Sequence, residues 1–246
     1  MGIATHTHAV ETWNPDGRGP VVLTCEHASR LVPPPLQTTA QDRAWLDTHW
    51  GWDIGAADVT RRLAERLDAP AVLGTVSRLV ADLNRAPDDP TLALEEVEGV
   101  RLGFNRGVDR AERVRRWHAP YRAAVDAMCA RRKAAGGPVL IFSVHSFTPD
   151  YMGSIRSVEM GVLFDDHEDL AEGLARDIAA LGWDTRLNEP WSGKAGLIYS
   201  AQQAGRRYGL PYLEIEIRQD LIADQDAAEA VADRLVEPLL AVVARL

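Results

Sequence analysis

Two stretches of this chain, PVVLTC at 20–25 and VLIFSV at 139–144, are apolar almost without interruption. Each then breaks at once into a polar loop, at His27 and at His145. A strand that is apolar at successive positions has no face to offer to water, so it needs cover on both sides, as in a parallel sheet packed between helices. The intervening sequence supplies the cover. Residues 53–67 carry apolar side chains at helical spacing, with Asp53 in an N-cap-like place. A long basic helix is expected over about 110–135, closed by Gly136-Gly137-Pro138, an amphipathic helix over 168–181, and a last helix over about 226–245. AVLGTVSRLVADLNR reads as strand, turn and strand, SVEMGVLF as a strand, and PYLEIEIR as a strand with Glu214, Glu216 and Arg218 on one face. Residues 87–108, rich in acids and without clear period, read as an excursion over the surface. Strands alternating with helices give a three-layer α/β/α fold with a mostly parallel or mixed central sheet.

The chain's 246 residues, 46% of them hydrophobic, are enough for one full core, and a single domain over 1–246 is expected. A formal net charge of -9 excludes a nucleic-acid surface, which needs clustered Lys and Arg. A small-molecule substrate fits better. Cys25 and Cys129 stand far apart and outside any CxxC pattern, so neither a disulfide framework nor a thiolate metal site is expected. The opening residues lack a basic region followed by an apolar one, and no apolar run approaches the ~20 residues of a membrane span. The expectation is a cytoplasmic protein with no membrane partner. Trp45, Trp50 and Trp52 would suit either an interface between copies of the chain or a pocket lid, which leaves a homo-oligomer open.

In open α/β sheets ligands bind beyond the carboxyl ends of the strands, where this chain places its polar clusters. His27, Asp53 and His145 are the candidate metal ligands, because two imidazoles and a carboxylate can hold zinc and leave a position open. Glu26 rivals Asp53, although adjacent side chains on an extended segment point to opposite sides. Either histidine could equally be a hydrogen-bonded residue at a strand end. Glu216 is the candidate general base, since a carboxylate inside an apolar strand is costly unless it is paired or reactive; Glu214 shares its face and competes for the role. Glu216 could instead pair with Arg218 or Arg85. The segment Ser77–Arg85 brings two guanidinium groups, Arg78 and Arg85, and the amide of Asn84 to one place, where an acidic substrate could bind; a turn salt-bridged to Asp82 is the plainer reading.

The motifs TCEHAS, HWGWDIGA, SRLVADLNR, VHSFTP, NEPWSG and IEIRQDL, in this order from about 20 to 221, resemble the N-formylglutamate amidohydrolase family. That family is related in fold to zinc carboxypeptidases and aspartoacylase-type deacylases. The resemblance implies zinc at His27, Asp53 and His145, with Glu216 as general acid/base and Arg78 polarising the scissile carbonyl. It implies Asn84 and Arg85 on the substrate carboxylate. Asn188 and Trp191 in NEPWSG, and Arg218 in the IEIRQDL strand end, complete the expected substrate side. The carboxypeptidase relatives carry a glutamate three residues after the first histidine, where this chain has Arg30. The expected reaction is hydrolysis of an N-acyl acidic amino acid, with N-formyl-L-glutamate as the best candidate. Another N-acyl or peptide-like amide is the enzymatic alternative, and a metal-independent protein that binds acidic metabolites is the non-enzymatic one.

Overall fold

The computed structural model describes residues 4–6 and 9–246, with side chains from Ala9 onward. Eight strands form one sheet: β1 (Ala4–His6), β2 (Val10–Trp13), β3 (Val21–Cys25), β4 (Ala71–Gly74), β5 (Leu140–Phe147), β6 (Met160–Leu163), β7 (Thr185–Leu187) and β8 (Tyr212–Arg218). Their order is β1-β2-β4-β3-β5-β8-β6-β7. The four central strands β4, β3, β5 and β8 run parallel. On one side β2 is antiparallel to β4, and on the other β6 is antiparallel to β8, so the sheet is mixed.

Helices α1 (Ala40–Leu46), α2 (Ala56–Arg66), α3 (Ala119–Ala135), α4 (Glu168–Ala179), α5 (Tyr199–Tyr208) and α6 (Gln225–Val243) surround it. Side chains alternate across a strand, and the two faces bury different partners. Val21, Leu23, Phe142, Val144, Leu213 and Ile215 pack with α2, α4 and α6 in one cluster. Val22, Ile141 and Tyr212 pack with α3 and α5 in the other. On that second face the apolar rows change character toward the strands' carboxyl ends. Ile141 is followed by Ser143 and His145, and Tyr212 by Glu214 and Glu216, all buried. The sheet therefore carries a dry core on one side and a polar floor on the other.

Four local expectations change. AVLGTVSRLVADLNR is a strand only at Ala71–Gly74; Ser77–Arg85 folds as successive turns instead of a second strand. With β2 and β3 pairing both edges of β4, no edge is free there, and Leu79, Val80 and Leu83 bury themselves in the α3/α5-side cluster. Residues 87–108 are not a surface excursion, because Leu92, Val97, Leu102 and Phe104 join the same cluster. The buried Asn105 amide ties the two segments by donating to Leu79 O at 2.6 Å and Leu94 O at 2.7 Å. Finally, α2 starts at Ala56 with Gly55 as its N-cap, at φ +79°, so Asp53 is not spent on capping. A side chain at Gly55 would also meet Ile222 O at 2.1 Å. The basic helix is broken by a π-helical turn over Val114–His118, which turns His118 inward to bond Arg85 O at 2.9 Å. Among the described residues no helix is long and apolar enough to cross a membrane.

Gly161 on β6 pairs with Glu216 on β8, and a Cβ there would lie 1.9 Å from Glu189 O and 3.3 Å from the Glu216 Cβ. Gly161→Ala should therefore overpack the sheet beside Glu216 and cost about 1–3 kcal/mol. A lower urea midpoint would show it; a midpoint equal to the parent's would mean the Glu189 loop yields freely.

Candidate active site

A cavity of about 320 Å³ opens at the carboxyl ends of the parallel strands. Its floor is the polar face of β5 and β8, and its rim comes from the loops after β3 and β4. Of the residues singled out in the sequence, His27, Trp50, Arg78, Asp82, Asn84, Arg85, His145, Trp191, Glu214 and Glu216 line it.

Asp53 sits beneath, where a backbone bond from its N–H to His27 O at 3.0 Å fixes the loop. Its Oδ2 faces Nδ1 of His145 at 2.8 Å and Nδ1 of His27 at 3.3 Å. The two imidazole rings meet edge to face at 4.8 Å. Each histidine turns its other nitrogen to a second buried carboxylate: His27 Nε2 lies 2.7 Å from Asp82 Oδ1, and His145 Nε2 lies 3.0 Å from Glu26 Oε2. Such partners fix ring orientation and tautomer. Glu26 is pinned from below by Tyr121 Oη at 2.8 Å and Ser143 Oγ at 2.7 Å, which takes it away from the Asp53 side. Glu26 and His27 are the two turn residues that follow β3, and they send their side chains to different partners.

Asp82 is the residue that sequence reasoning undervalued. Its local sequence suits a salt-bridged turn acid, and it does pair with Arg78 Nη2 at 3.1 Å, but it also holds His27 and accepts from Asn84 N at 3.0 Å. Its turn neighbours gave no signal of a contact with a histidine 55 residues earlier. His49 and Tyr151, which also line the cavity, were missed as well; the HWGWD motif was the available signal for His49.

The charges set one another. Burial would raise the Asp53 and Asp82 carboxyls, yet His27 pulls both well down, with His145 beside Asp53 and Arg78 beside Asp82. Burial works against a charge on His145, but Glu214, Asp53 and Glu26 around it raise its pKa well above the ordinary value. Glu216 differs. Burial pushes it up to about 7, and its buried Oε2 has no hydrogen-bond partner. Glu214 is also pushed up by burial, but it accepts from Asn84 Nδ2 at 3.4 Å.

Two expected substrate contacts lie elsewhere. Asn188 does not face the cavity, because its Oδ1 accepts from Phe164 N at 3.1 Å and Gly193 N at 2.9 Å and so shapes the loop that carries Trp191. Arg218 is drawn away by the acids at the strand end, pairing with Asp220 at 2.8 Å and Glu159 at 3.4 Å. Asn84 lines the cavity but is committed, its Oδ1 to Ser200 N at 2.8 Å and its Nδ2 to Leu197 O at 3.1 Å. Arg85 is freer, its nearest acid being Asp82 at 3.9 Å.

A layered α/β/α sheet with histidines and carboxylates gathered at its carboxyl ends has the architecture of a hydrolase. A structure from Agrobacterium tumefaciens, described as a gene product, matches with a TM-score of 0.89 and 33% identity over 97% of this chain and 96% of that one. An N-formylglutamate amidohydrolase from Ralstonia eutropha JMP134 has the same fold, with a TM-score of 0.70 and 18% identity over 97% and 98% of the two chains. No curated protein matches. The N-formylglutamate amidohydrolase family model matches residues 19–223. The chain belongs to that family and is an amidohydrolase.

The Glu26 carboxyl gives a pH signature. Burial alone would raise it, but hydrogen bonds from His145 and Ser143 lower it from 4.5 to about 2. Because the folded value is depressed, its stabilisation is present above pH 4.5 and is lost as pH falls toward about 2. Glu26→Gln should cost about 3–5 kcal/mol near neutrality and flatten the acid limb of stability, measured by denaturant titrations across that range. An unchanged acid limb would show that Glu26 carries no charge-dependent bond.

Proposed function

We propose that this single-domain chain is a zinc-dependent amidohydrolase acting on N-acyl acidic amino acids, with conversion of N-formyl-L-glutamate to formate and L-glutamate as its reaction. What carries this reading is the convergence of His27, Asp53 and His145, whose ligand atoms lie within 4.8 Å of one another, beside an unpartnered buried Glu216.

The donor set fits a divalent metal. Glu26, Asp53, Asp82, Glu214 and Glu216 bring carboxyl groups to one buried place against the guanidiniums of Arg78 and Arg85, so a cation would supply missing positive charge. His145, Glu214 and Glu216 also fall within 4.8 Å. The first trio is favoured because both imidazoles in it are oriented from behind by carboxylates and because it leaves Glu216 free. Bound there, a zinc ion supplies Lewis-acid polarisation of the amide carbonyl and makes water more acidic.

The chain's own residues do the rest. Glu216, in the carboxylate form, takes the proton from the attacking water and returns it to the leaving nitrogen, for which a pKa near neutrality is well matched. Arg78, held by Asp53 at 3.4 Å and Asp82 at 3.1 Å, presents its guanidinium to the carbonyl oxygen as negative charge grows there. Arg85 receives the α-carboxylate, while Asn84 fixes the loop that aims it. We place the enzyme in the reducing cytoplasm, where the buried thiols of Cys25 and Cys129 stay free.

Metal-loaded protein should release formate and glutamate from N-formyl-L-glutamate, and chelation should stop it. Failure of the loaded protein to release amine from any N-acyl amino acid would sink the proposal. His27→Ala and His145→Ala should lose zinc by elemental analysis, whereas Glu216→Gln should keep it and lose turnover by about 10²–10⁴-fold. Arg85→Ala should raise KM, because it removes a contact made in ground and transition states alike. Arg78→Ala should instead lower kcat by about 10²–10³-fold, because its contact forms with the oxyanion. Equal effects of the two arginine variants on both constants would overturn that division.

A further inference from the structure

A third guanidinium stands against the cavity wall, outside the lining itself but packed on two rings that belong to it. Arg156 follows a short hairpin in which Asp150–Tyr151 pairs with Ser154–Ile155, and its backbone N–H bonds Pro149 O at 2.8 Å. Its guanidinium lies over Tyr151 at 4.6 Å, Trp191 at 4.8 Å and Phe147 at 5.6 Å. Tyr151 and Trp191 both line the cavity and meet edge to face at 5.7 Å. The aromatic faces fix the plane of the guanidinium, while the edge with its N–H groups stays available.

That edge is hardly used. Among the described residues Arg156 makes one side-chain hydrogen bond, from Nη1 to Thr148 O at 3.2 Å, and pairs with no carboxylate. The acid whose field reaches it is Glu216, beyond ion-pair distance. Arg78 by contrast is shared between Asp53 and Asp82. The backbone at Arg156 is also braced: Arg218 Nη1 donates to Ser157 O at 2.9 Å and approaches the carbonyls of Arg156 and Val158 at 3.4 and 3.5 Å. A cation with a fixed plane, a fixed backbone and a spare edge is built to take a planar anion in bidentate fashion.

We propose that Arg156 receives the side-chain carboxylate of the substrate and so makes the site selective for N-acyl derivatives of dicarboxylic amino acids. The inference rests on the amidohydrolase reading above and assigns a group that reading leaves without a partner. With Arg85 on the α-carboxylate and Arg78 facing the carbonyl, a dianionic substrate needs one more cation, and Arg156 is the aromatic-wall cation without an acid of its own.

The test compares N-formyl-L-glutamate with N-formyl-L-glutamine, which has the same shape but one charge fewer, on metal-loaded parent and Arg156→Gln proteins. The parent should favour the glutamate compound by about 10–100-fold in kcat/KM, as for a charge-assisted pair. Arg156→Gln should bring the ratio to within about threefold, chiefly through KM, and Arg156→Lys should restore part of it. Zinc content and thermal midpoint of the variants report whether the site stays folded. Calorimetric binding of L-glutamate and L-glutamine to the same proteins gives the same comparison without turnover. Discrimination that survives Arg156→Gln, or a parent that hydrolyses or binds both compounds equally, overturns the proposal. Lost binding discrimination in a protein that hydrolyses neither compound would uphold Arg156 while removing the reaction.

Discussion

The site depends on one carboxylate oxygen. Oδ2 of Asp53 faces both histidines through Nδ1 and accepts from Ser146 N at 3.3 Å, in a place almost closed to water. A charge so buried is tolerable only with compensating partners on every side, and removing one partner leaves the others uncompensated. The fold meets that demand with three separate pieces of chain: the loop after β3, the loop before α2 and strand β5. Gly55 makes it possible by capping the helix in place of Asp53, so the carboxylate turns to the sheet and not to the helix end.

From this point the rest of the polar network follows by electrostatics. Two imidazoles drawn to one carboxylate need their far nitrogens satisfied, and Glu26 and Asp82 do this from opposite sides. Those acids need donors in turn, and Tyr121, Ser143, Arg78 and Asn84 N provide them. The network stops short of Glu216, whose buried Oε2 has no donor. An unmet hydrogen bond at the end of an otherwise satisfied network marks where chemistry with an outside molecule belongs.

The opposite wall is organised by packing. Tyr151, Trp191 and Phe147 hold Arg156 by their ring faces, and Asn188 and Arg218, which never reach the cavity, hold the two loops that bring these groups together. The two residues most readily mistaken for substrate contacts thus act one step back. Strong hydrogen bonds to backbone carbonyls and amides give a loop a fixed shape where no sheet is present to impose one.

The sequence by itself determined the layers and most of the chemistry. Uninterrupted apolar strands require cover on both faces, and polar residues directly after them fall at the carboxyl ends of a sheet, which is how His27, His145 and Glu216 were legible. Tertiary structure decided the rest. Asp82 looked like a turn acid until the fold laid it against a histidine far back in the chain, and Arg156 carried no motif because one of its aromatic partners, Trp191, comes from a separate loop. Arg218 shared a strand face with Glu216, yet local acids at Glu159 and Asp220 took it. Periodicity reports which way a side chain leaves its own backbone, whereas the partner it finds is set by chain segments that meet only on folding.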